Sequence, residues 1–199
     1  MNASQHPGLD DLVSFHGHLC PGLAIGYRAT IAALEHLDVE RARDEELVAI
    51  VENDSCSVDA VQFLASATFG KGNFFFRDWG KQVFTLGRRG QPRAVRVSLR
   101  WGALEARPEQ EAITKKMKSG EASKTEQDQA AGWRQEKIDY ILNAPAGDLF
   151  EIKEVEIKLP PEARIIRSVR CGRCGEPVME TRTFSQDETT LCTQCRQNG

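Results

Sequence analysis

The sequence predicts an α+β core with an antiparallel sheet and packed helices, followed by a small four-cysteine metal-binding module. Three observations carry this: apolar helical periodicity after Pro21, short Val/Ile-rich and alternating segments further along, and two CxxC pairs in the last thirty residues. Pro160-Pro161 interrupts the chain between these regimes, which divides it into residues 1–160 and 161–199. With 199 residues the chain is long enough for one medium domain plus an appendage.

Residues 9–15 read as a short helix leading into His16-Gly-His-Leu-Cys20-Pro-Gly. From Pro21, the residues Leu23, Ile25, Tyr27, Ile31, Leu34 and Leu37 supply an apolar helix face, and proline suits the first helical position. Cys20 is therefore expected at a helix N-terminus. ELVAIVEN (46–53) is a compact buried strand. It leads to Asp54-Ser55-Cys56 and a second apolar helix, with Asp54 or Ser55 as the expected cap. Cys56 thus repeats the situation of Cys20. Strands near 73–77, 82–87 and 94–100 are expected to form an antiparallel meander. Residues 108–131 are polar helix formers broken at Ser119-Gly120, a solvated helical excursion, and 132–143 should dock through Trp133, Ile138, Ile141 and Leu142. LFEIKEVEIKL (149–159) alternates with period two, a half-buried strand.

The formal net charge of −3 gives no global attraction to nucleic acid or to an anionic membrane. No apolar run approaches the roughly 20 residues needed to span a bilayer. The opening residues lack the basic and apolar regions of a secretory signal, so a cytoplasmic location is expected. Thiols stay reduced there, and six cysteines read as metal ligands or reactive groups before they read as disulfides.

Cys171-Gly-Arg-Cys174 and Cys192-Thr-Gln-Cys195, separated by seventeen residues, have the spacing of a four-thiolate zinc site. Each CxxC turn folds two sulfurs onto one ion, and Gly172 and Gly175 ease the tight knuckle. So short a module lacks an adequate core, and the metal supplies folding energy. Four thiolates fill the coordination sphere, which assigns this zinc a structural task. Scattered arginines and a lone Phe184 give no basic–aromatic surface for nucleic acid, so protein–protein contact is the expected use.

His16, His18 and Cys20 alternate, and in extended chain such positions share one face. Two imidazoles and a thiol are transition-metal ligands, and a helix N-terminus favours the thiolate, which is also the nucleophilic form. Metal site and nucleophilic site both remain open on this pattern. His18, Cys20 and Cys56 are the candidate catalytic groups. His6 and His36 receive no role. FGKGN (69–73) lacks the spacing of a phosphate loop, yet Lys71 could approach an anionic ligand from that turn.

FHGHLCPGLAIGYRA (15–29), ENDSCSVDAVQ (52–62), ATFGKGN (67–73), FRDWGKQVF (76–84) and YILNAPAGDLFEIKEV (140–155) together resemble the FmdE family of formylmethanofuran dehydrogenase proteins. The resemblance implies an α+β core, a C-terminal zinc module and a site at the HGHxCPG motif with the cysteine after the strand. Those positions are His16, His18, Cys20 and Cys56, holding a second metal ion, with zinc as the first choice. It further implies homodimers and an association with a molybdenum or tungsten oxidoreductase. Three functions follow as expectations: a metal-dependent enzyme-like site, an accessory protein acting through protein contacts, or a thiol pair of Cys20 and Cys56.

Overall fold

The computed structural model describes residues 8–198; His6 lies outside them. The chain divides into two compact units between Glu162 and Ala163.

The first unit begins with α1 (Leu9–His16) and α2 (Pro21–Leu37). β1 (Leu47–Val51) is buried at every position and leads through a short loop to α3 (Ser57–Ala65). Next come β2 (Phe74–Phe76), β3 (Val83–Arg88) and β4 (Arg93–Leu99). The helices α4 (Pro108–Ser119) and α5 (Lys124–Asn143) follow, then the single turn α6 (Ala146–Leu149) and β5 (Phe150–Glu156).

Five strands form one sheet in the order β2-β1-β3-β4-β5. β1, β3, β4 and β5 are antiparallel neighbours, whereas β2 runs parallel to β1. The expected meander therefore begins at β3 and excludes residues 73–77. The reason is α3, which returns the chain to the starting end of β1 before β2 begins, so β2 runs in the same direction as β1.

Strand alternation places Ala49, Val51, Phe84, Leu86, Val95, Val97 and Phe150 on one face, packed in a single core with Leu23 and Tyr27 of α2, Val61 of α3 and Ile141 of α5. α2 and α3 approach unusually closely. A β-carbon built on Gly26 would lie 2.1 Å from the Ser57 carbonyl oxygen, so only glycine permits this crossing. Arg28 ties α2 to α5 by donating to the carbonyls of Ile141 (3.1 Å), Leu142 and Ala144 (2.8 Å). Two of these belong to the last turn of α5, whose carbonyls lack intrahelical partners.

The polar stretch is more regular than its composition suggests. α4 ends at Ser119 with Gly120 as its C-cap, and α5 already starts at Lys124, eight residues before the expected onset. Ser123 and Glu126 form a reciprocal capping box there, a local signal strong enough to start a helix on a polar surface. α4 buries no residue, and α5 buries only Ile138, Ile141 and Leu142.

The second unit contains two hairpins, β6 (Ser168–Arg170) with β7 (Pro177–Met179) and β8 (Thr183–Gln186) with β9 (Thr189–Cys192), and the short helix α7 (Thr193–Gln197). Among the described residues no helix is long and apolar enough to cross a membrane.

Gly26→Ala should destabilise the first unit by on the order of 3 kcal/mol, because the inserted methyl meets rigid backbone. Arg28→Met should cost about 1–3 kcal/mol by stranding carbonyl groups. Urea unfolding of each variant measures both, and wild-type stability in Gly26→Ala would contradict the close crossing.

Candidate metal centres

The first centre is assembled from two helix starts and one helix end. His16 is the last residue of α1, and Gly17 caps that helix in the left-handed region at φ 99°. This reversal breaks the extended pattern on which a shared face for His16, His18 and Cys20 depends. The chain turns instead, so that His16 and Cys20 converge while His18 is exposed. The His16 and His18 rings remain neighbours, with centroids 4.8 Å apart.

Cys20 is the N-cap of α2, in extended conformation, and its Sγ accepts a hydrogen bond from the Leu23 amide at 3.4 Å. Cys56 is the N-cap of α3. The side-chain capping expected of Asp54 or Ser55 is absent from this helix start; Ser55 instead joins a bracing network. Asn53 accepts from the Ser55 amide (3.1 Å) and the Ser55 hydroxyl (2.8 Å), and Gln82 donates to the Ser55 hydroxyl (3.0 Å). Asn53 in turn donates to the Lys81 carbonyl (2.9 Å), which ties the loop presenting Cys56 to the leading end of β3. Gly22 completes the approach: a β-carbon there would lie 3.2 Å from that of Cys56.

One donor atom each from His16, Cys20 and Cys56 lies within 4.8 Å of the others. Asp59, in the first turn of α3, accepts from His16 Nδ1 at 2.7 Å. That bond places the ring proton on Nδ1 and leaves the Nε2 lone pair directed elsewhere. Nε2 is buried and has no hydrogen-bond partner among the described residues. A buried, unpaired imidazole nitrogen is costly, and here it belongs to the residue that groups with two sulfurs. The donor set of one imidazole and two thiols suits a borderline-soft transition metal, and the carboxylate behind the histidine is the usual support of such a ligand. Burial, reinforced by the neighbouring Cys20 sulfur, pushes the Cys56 thiol up, the opposite of what a thiolate ligand needs; a bound cation would supply the missing charge.

The four cysteines of the second unit also form one group, with their sulfurs mutually within 4.8 Å. Cys171 is buried and accepts from the Cys192 amide at 3.3 Å, while Cys192 Sγ accepts from the Cys195 amide at 3.4 Å. Backbone donors from Cys174, Cys192 and Arg173 bring the Cys171 thiol down to about 6. Cys195 is pushed up to about 12, first by its hydrogen bond with Cys192. One thiol prepared as thiolate beside another that resists ionisation forms a sulfur group that a bound cation would ionise further.

The Lys71 ammonium is engaged within the fold. Its Nζ donates to the Asp44 carbonyl (2.7 Å) and the Ser66 hydroxyl (3.1 Å), pinning the turn before β2. Sequence reading missed Asp59 and Gly26. Both had a signal: Cys56-x-x-Asp59 is one helical turn, and Gly22-x-x-x-Gly26 clears one helix face.

Comparison with known proteins agrees with this architecture. Across 188 residues the chain is 31% identical to a probable S-adenosyl-L-methionine-binding protein of Archaeoglobus fulgidus, a match covering 91% of this chain and 50% of that protein. The chain thus spans about half the length of that curated relative. The crystal structure of a tungsten formylmethanofuran dehydrogenase FmdE-like protein from Syntrophus aciditrophicus shares the fold, with a TM-score of 0.66 at 23% identity over 98% of this chain and 93% of that one. Residues 15–151 match the family described as FmdE, of the molybdenum formylmethanofuran dehydrogenase operon, and the chain belongs to that family.

Proposed function

We propose that the first unit is a metal-dependent small-molecule site, with His16, Cys20 and Cys56 holding one zinc ion and a fourth position left for ligand or water. The observation that carries this reading is the grouping of His16 with the Cys20 and Cys56 sulfurs, together with a buried His16 Nε2 that has no hydrogen-bond partner among the described residues. Three protein ligands are the pattern of a zinc site that does chemistry, whereas the four thiolates of the second unit close their sphere and make it a folding and docking element. A molybdenum or tungsten oxidoreductase is the partner that the family relationship favours for that element.

Bound zinc supplies a Lewis acid that polarises a ligand oxygen or acidifies a water. The chain's own residues have separate tasks. Asp59 holds the His16 ring in one tautomer, and the N-termini of α2 and α3 lower the cost of keeping Cys20 and Cys56 as thiolates. His18, exposed beside His16, is the group available to carry a proton between solvent and a bound ligand. A redox pair of Cys20 and Cys56 explains the two sulfurs but leaves His16 Nε2 unmatched, so the metal reading is preferred.

Zinc-loaded protein should contain two ions per chain, and the Cys20→Ser/Cys56→Ser variant one; a wild-type content of one ion, retained in that variant, sinks the core centre. Asp59→Asn should weaken the core ion by roughly 10–100-fold in competition with a chromogenic chelator and leave the tail ion unchanged. Exhaustive chelation should make residues 163–198 protease-sensitive while the first unit keeps its helical circular dichroism, because only the second unit is built around its metal.

A further inference from the structure

The α4–α5 hairpin borders a cavity of about 260 Å³ whose wall includes Pro21. Pro21 directly follows Cys20, so the cavity reaches the chain position next to a ligand of the core centre. Its other walls have a definite chemistry. Met117 of α4 and Trp133 of α5 give apolar surface, while Arg134 and Lys137 of α5 give two cations. No carboxylate is among the described residues lining it. Arg134 makes no hydrogen bond or ion pair within the described chain. Lys137 donates once, to the Leu104 carbonyl at 3.0 Å, which leaves two of its three N–H groups available.

Two uncompensated cations beside an aromatic wall select an anion with an apolar body. The volume falls just below the usual range of about 300–1,000 Å³ for small-molecule sites, which limits that body to about one ring. We infer that this cavity binds a compact aryl or alkyl phosphate or carboxylate and holds it against Pro21, the residue that follows Cys20. That the anion then reaches the core metal rests on the function proposed above; its binding to the cavity does not.

The probe is phenyl phosphate, added to zinc-loaded, full-length protein carrying Trp79→Phe and Trp101→Phe. Both replaced side chains are exposed, and Trp133 becomes the sole indole emitter. Saturable quenching of Trp133 is expected, weakened at least tenfold by Arg134→Gln. Inorganic phosphate, lacking the apolar body, and S-adenosyl-L-methionine, a net cation too large for this cavity, should each bind at least tenfold more weakly. Absent saturation, an unchanged affinity in Arg134→Gln, or equal binding of either control overturns the inference. Cobalt-loaded protein separates the two claims. Quenching with no change in the visible cobalt spectrum would leave the pocket and remove its link to the metal. A spectral change without Trp133 quenching would leave the metal site and remove the pocket.

Discussion

The contact on which the first unit depends is the crossing of α2 and α3 at Gly26 and Ser57. A β-carbon at Gly26 has no space above the Ser57 carbonyl, so the two helices meet backbone to backbone. Because each helix begins with a cysteine N-cap, this crossing determines how far apart the two sulfurs lie. Gly22, one turn earlier on the same face, keeps the approach open up to Cys56 itself. Packing and site geometry are therefore one problem: whatever separates the helices also separates the two sulfurs.

A second constraint orders the histidine. The left-handed turn at Gly17 ends α1 and swings His16 toward the helix starts, and Asp59 then holds its ring by Nδ1. Asp59 serves two ends at once, since a carboxylate in the first turn of α3 also complements that helix's dipole. The arrangement confines an unsatisfied lone pair to a buried position, a state that folding tolerates only where something compensates it.

The two cysteine groups differ in what surrounds them. In the second unit the sulfurs are embedded in knuckles and hairpins with little apolar surface, and backbone amides prepare Cys171 for ionisation. In the first unit Cys20 packs at the edge of a large hydrophobic core built from helices and the sheet. A metal in the former would hold the fold together, whereas in the latter the fold already brings His16, Cys20 and Cys56 into one group. That difference favours structure for one and chemistry for the other.

Local patterns in the chain determined much of this. The CxxC pairs, the Pro21 helix start, the buried strand before Cys56 and the motif HGHLCPG were legible because each depends on residues near one another in sequence. The capping box at Ser123 was legible in principle too, although the polarity of residues 108–131 hid it. Tertiary structure decided the rest. It placed β2 parallel to β1, because a crossover helix sets strand direction whatever the strand's own composition. It replaced an extended His-x-His-x-Cys face by a turn at Gly17, which brings His16 in and leaves His18 exposed. It also recruited Asp59, forty-three residues from His16, a pairing that no local pattern encodes and only the meeting of α1 with α3 creates.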